Sequence, residues 1–193
     1  MIIRNDPRLD AVSDERSFLP PGVPTAALDA VIDSAASWTP SRLAQELVEV
    51  AAEMTGAAQV ALYKCDSNTV RCMGLAPPHL ASPLLRDQQA EEFPWAMPSL
   101  QPSRFVLVEA AGDLPLPVSG RAGDLGYSSA VHLPLRDGNR MLGALQIYWS
   151  EPMSEWDDRV GAALRALGVF TLCRVLPGAG AAGVAGGRRG TDT

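Results

Sequence analysis

Residues 128–149 read SSAVHLPLRDGNRMLGALQIYW. Two apolar-rich runs, Ser128 to Leu135 and Met141 to Trp149, flank Asp137, Gly138 and Asn139, residues that tolerate the positive φ of a tight turn. The pattern predicts a β-hairpin. Apolar side chains occupy consecutive as well as alternate positions, so both faces of this hairpin are expected to be covered.

Upstream, Ala58 to Cys65 and Thr69 to Ala76 form a second pair of β-prone runs, joined by the turn formers Asp66, Ser67 and Asn68. Before them, Thr39 and Pro40 read as an N-cap followed by proline at the first helical position, and Gly56 marks the far end of a helix over 40–55. Leu43, Leu47, Val50, Ala51 and Met54 recur at three- and four-residue intervals, a stripe that must face a sheet or another helix. Downstream, Ser154 with Asp157 resembles a capping box. Val160, Leu164, Leu167, Phe170, Thr171 and Val175 then continue at helical spacing, predicting a helix over 154–176.

The rest of the chain is less regular. The first 24 residues carry Pro7, Pro20, Pro21 and Pro24 among alternating charges and read as a flexible arm. Leu28, Val31, Ile32 and Ala35 predict a short amphipathic helix between Thr25 and Trp38. Residues 77–103 are rich in proline and charge, with a short helix expected from His79 to Gln89. Phe105 to Ala110 reads as a strand and Leu116 to Gly126 as a loop. Residues 177–193, almost entirely small, read as a disordered Gly/Ala-rich tail. The expected organisation is therefore one domain, 25–176, between two tails.

Composition narrows the function. Apolar residues make up 47% of the 193 residues and charged residues 20%, as in a folded soluble chain. A net charge of -6 opposes attraction to phosphate backbones, so nucleic acid is not an expected partner. No stretch approaches the roughly 20 apolar residues of a membrane span, and the start of the sequence lacks the apolar core of a signal peptide, so neither a membrane nor secretion is expected. Cytoplasmic placement is the expectation. Three cysteines without a CxxC motif support neither a disulfide framework nor a zinc site.

Taken in order, these elements resemble a GAF domain over about residues 39 to 176. The resemblance is carried by Met54, Thr55, Gly56, Ala57 and Ala58 at the end of the first long helix, and by the strand Val60, Ala61, Leu62, Tyr63. It continues through Leu125 to Leu135 with its Pro134–Leu135 pair, then Leu142, Gly143, Ala144, Leu145, Gln146, and Met153 to Asp157. It implies an α+β fold: a central antiparallel sheet of five to six strands, with N- and C-terminal helices on one face and the irregular middle segment covering the other. It further implies a sensory or regulatory module, a homodimer through its first and last helices, a small-molecule ligand in a pocket between sheet and middle segment, and a signalling partner protein. The Asn-Lys-Phe-Asp-Glu motif of the family's cyclic-nucleotide binders is absent, and the cofactor stays unknown.

The candidate pocket residues are Tyr63, Cys72, His79, Phe93, Trp95, Met97, Tyr127 and His132. Phe93, Trp95 and Met97 suit an apolar ligand, and equally a plug over the open face of the sheet. His79 offers an imidazole for a haem iron or metal, or a histidine exposed after Pro77 and Pro78; no metal site is assigned. His132, between Val131 and Leu133, is either a structural histidine or a ligand contact. A turn centred between Asn68 and Thr69 would set Cys65 opposite Cys72, close enough for a redox pair. The resemblance equally allows a ligandless dimerisation or interaction module, and those cysteines also raise the family's free methionine sulfoxide reductases as a further alternative. No catalytic constellation is found, however, and the chain is expected not to be an enzyme.

Overall fold

In a computed structural model the protein is described over residues 2–4, 25–35, 37–66, 69–78, 88–89, 105–108, 126–153 and 156–175. Helix α1 spans Thr25–Ala35 and α2 Pro40–Thr55. The Thr39 side chain accepts from the Arg42 N–H, Pro40 opens the helix, and Gly56 closes it at φ 60°. The first hairpin follows as β2 (Gln59–Asp66) and β3 (Thr69–Ala76), preceded in the chain by β1 (Ile2–Arg4). Two short strands, β4 (Gln88–Gln89) and β5 (Phe105–Val108), lead to the second hairpin, β6 (Ser129–Asp137) and β7 (Arg140–Trp149). Gly138 turns that hairpin at φ 55°, as its sequence predicts.

All strand pairs are antiparallel, in the order β1-β5-β6-β7-β2-β3-β4. The expected five to six strands become four long ones, β6-β7-β2-β3, of 8 to 10 residues, extended at the edges by three pieces of two to four residues. Two of these pieces correct the sequence reading. Gln88 and Gln89, expected in a helix, pair with Val70 and Thr69, supplying partners to an edge whose backbone groups need them. Ile2–Arg4, expected in the arm, pair with β5, where β-branched residues suit an edge strand.

The last helix, α3, covers Asp158–Val175. It starts later than the capping-box reading placed it. Asp157 is the N-cap: its carboxylate accepts from the Arg159 N–H at 2.9 Å, and its carbonyl accepts the first helical bond from Gly161 at 3.1 Å. The Arg159 guanidinium also binds this carboxylate, at 2.9 and 3.1 Å, and holds its pKa below the usual carboxylate value. A lowered pKa means that the contribution is present above the ordinary carboxylate value and is lost as pH falls through the lowered one. Asp157→Ala should therefore cost about 1 kcal/mol at pH 7, nearly all of it from the cap, because the ion pair is exposed. Urea unfolding at pH 7 and pH 3 checks this: the gap between variant and wild type should narrow in acid.

One core joins both long helices to one face of the sheet. Ala44, Leu47, Val48 and Ala51 of α2 and Ala163, Leu164, Leu167 and Leu172 of α3 cluster with Val60, Leu62, Val131, Leu133, Leu145 and Ile147. The register makes this face continuous, since Leu62 lies opposite Leu145 and Leu145 opposite Leu133. Along the α2 stripe Leu43, Leu47 and Ala51 are fully buried, while Val50 and Met54 pack at its margin. Helix α1 rests on α2, with Val31 against Leu43 beside Trp38 and Val50. Gln45 of α2 reaches the outer side of β3, where its amide donates to the Leu75 carbonyl at 3.0 Å and accepts from the Leu75 N–H at 3.3 Å. The side chain thus satisfies backbone groups that β4 is too short to reach.

A polar and aromatic face opposite the helices

Because strand side chains alternate, the helix-facing residues fix what the other face carries. Three strands define it as a grid: Gln59, Ala61 and Tyr63 on β2; Tyr148, Gln146 and Ala144 on β7; Ala130, His132 and Pro134 on β6. Gln146 is at the centre, opposite Ala61 on one side and His132 on the other. Tyr63, His132, Gln146 and Tyr148 are all buried, at 0 to 3% exposure, so this face is as dry as the core beneath it.

The polar groups here are ordered by one another. The Tyr148 hydroxyl donates to Gln146 Oε1 from two residues along the same strand. The His132 ring meets the Tyr148 ring edge-on, with centroids 6.1 Å apart, and the Tyr127 ring lies tilted against Tyr148 at 4.6 Å. Gly126, at φ 66°, and the bond from the Ser128 N–H to the Trp149 carbonyl, 2.9 Å, bring Tyr127 to this position. Gln146 Nε2 is buried with no hydrogen-bond partner among the described residues. A buried amide left half-satisfied costs about 1 to 3 kcal/mol, so packing alone does not account for it.

Of the residues singled out in the sequence, the structure brings Tyr63, Cys72, Tyr127 and His132 to this face, with Cys72 half-buried opposite Tyr63. His79, Phe93, Trp95 and Met97 lie outside the described residues. Gln146 and Tyr148 were not among the candidates. The available signal was a glutamine between Leu145 and Ile147, in a strand whose two faces are both apolar.

The expected opposition of Cys65 and Cys72 is corrected. Asp66 pairs with Thr69 and Cys65 with Val70, and a register shift between Leu62 and Tyr63 sets Cys72 opposite Tyr63. The two cysteines are diagonal neighbours, a relation that spans about 7 to 8 Å, beyond the range of an unstrained disulfide. Neither cysteine is in a disulfide, and the Cys72 thiol donates to the Gly74 carbonyl at 3.2 Å. Burial, and secondarily the neighbouring Asp66 carboxylate, raise the Cys65 pKa. Among the described residues no group of three or more His, Cys, Asp or Glu gathers as a metal site, and no helix is long and apolar enough to cross a membrane.

Solved structures share this architecture. The phycocyanobilin-bound GAF domain of a cyanobacterial phytochrome superposes with a TM-score of 0.61 at 16% identity, over 77% of this chain and 91% of that one. The phycoerythrobilin-bound GAF domain of a cyanobacterial phytochrome gives 0.63 at 16% identity, over 77% and 93%. The chromophore-binding domain of an unusual bacteriophytochrome from R. palustris gives 0.63 at 9% identity, over 77% of this chain and 60% of that one. At these identities the likeness is one of fold. No curated protein matches the sequence. The family model for the GAF domain matches residues 39–169, well over half of the sequence, and the chain belongs to the GAF domain family.

Proposed function

We propose that the protein is a sensory or regulatory module that holds a small molecule against the sheet face opposite α2 and α3 and relays its presence to a partner protein. The observation that carries this reading is the buried Gln146, central in a grid of aromatic and small residues and short of a partner for its amide nitrogen. A ligand acceptor would complete it. The bilins bound by two GAF domains of the same fold support a ligand of comparable flatness.

In this reading two copies of the chain associate in the cytoplasm through their helices. Ile32 of α1 and Phe170 of α3, the large apolar side chains that stay 40% exposed among the described residues, belong to that contact. The raised Cys65 pKa and the separation of Cys65 from Cys72 oppose a thiol-based reductase, which needs a stabilised thiolate with a resolving partner. The module is therefore read as a binder and not as an enzyme.

Protein purified from its natural host should carry a small molecule, seen as added mass under native mass spectrometry and as ligand absorbance that denaturation releases. Protein found only at its sequence mass, with no released absorbance, would replace this reading with that of a ligandless interaction module.

A further inference from the structure

Resting on the reading of this face as a ligand site, we propose that its ligand is an uncharged planar molecule that presents a carbonyl oxygen to Gln146 Nε2. The orientation follows from Tyr148. Its hydroxyl donates to Gln146 Oε1, so the amide oxygen faces the tyrosine and the two N–H donors lie on the other side. Those donors are buried and unmatched among the described residues, so the group they call for is an acceptor.

Shape comes from the neighbours. Of the eight positions around Gln146, Ala61, Ala130 and Ala144 carry a single carbon, Tyr63, Tyr148 and His132 carry flat rings, and Gln59 and Pro134 complete the grid. Alanines set among flat rings suit a flat body stacked on the sheet better than a branched one. The sheet side offers no formal charge: none of the nine grid residues is Lys, Arg, Asp or Glu. A carboxylate or phosphate set on these nine residues would give up its water shell for no ionic partner among them, a loss of several kcal/mol. A carbonyl loses far less and gains the same donor.

Three probes differing in one substituent separate these features: 2-acetylnaphthalene, naphthalene and naphthalene-2-carboxylate, titrated calorimetrically into the full chain. 2-Acetylnaphthalene should bind at least about tenfold more tightly than naphthalene, and more tightly than the carboxylate. In Gln146→Leu the carbonyl's advantage should disappear while naphthalene affinity is kept. If circular dichroism shows that Gln146→Leu is unfolded, Gln146→Met, unbranched and of similar volume, takes its place. Equal affinities for 2-acetylnaphthalene and naphthalene, an advantage that survives the substitution, or tightest binding by the carboxylate would overturn the acceptor proposal and leave the ligand site standing. Failure of all three to bind the wild-type chain would instead remove the ligand-site reading itself.

Discussion

Gly143→Ala is expected to destabilise the protein by about 3 kcal/mol, lowering the melting temperature by roughly 6–12 °C. Gly143 lies in β7 opposite Lys64 on one side and Leu135 on the other. A Cβ there would overlap the Tyr63 carbonyl oxygen and come within 2.9 Å of the Tyr63 carbonyl carbon and of Leu172 Cδ1 in α3. Leucine can change rotamer. The β2 backbone cannot yield, because its ladder to β7 runs from Gln59 to Lys64 and fixes the carbonyl in place. Gly138→Ala is the control. Its φ of 55° strains an L-residue by about 1 kcal/mol, but nothing lies within 4 Å of the added carbon. Urea midpoints should therefore rank wild type above Gly138→Ala above Gly143→Ala. The reverse order would mean that turn conformation, and not the close approach of the β2 backbone at Tyr63, limits stability.

Gly138 and Gly143 also show what a sequence discloses. The turn at Asp137–Asn139 is a local matter: it needs residues that accept positive φ, and Gly138 supplies one where the reading placed it. Helix α2 was equally legible, because Thr39, Pro40 and Gly56 act within one turn of its ends. Gly143 was only one member of a family-like Leu-Gly pair, since the carbonyl it must clear belongs to a strand some 80 residues earlier. Register was lost for a similar reason. Asp66, Ser67 and Asn68 all favour turns, so propensity alone did not choose between centres one residue apart, and the shift at Leu62/Tyr63 then broke the two-residue period. The candidate site was half legible. The candidates Tyr63, Cys72, Tyr127 and His132 share this face, but Gln146 and Tyr148 acquire meaning only once pairing places them beside His132.

Leu145→Ala, one residue before Gln146, is expected to cost about 3 kcal/mol, within the 2–5 kcal/mol typical of buried leucines. Leu145 is fully buried between Leu62 and Leu133, in the layer where α2 and α3 meet the sheet. Truncation leaves a cavity that rigid strands on both sides cannot collapse. Gln146 shares its strand and its burial but points to the opposite face, so Gln146→Leu removes an unmatched donor together with the acceptor of the Tyr148 hydroxyl, two opposed effects that should leave the ligand-free protein within about 1 kcal/mol of wild type. Paired urea titrations of the two variants test this contrast. Under the proposed division, position 145 sets stability and position 146 contributes little to it, as expected of a residue retained for binding. A loss from Gln146→Leu as large as that from Leu145→Ala would mean that the amide holds the fold together, and the far face would then be a second core with no vacancy for a ligand.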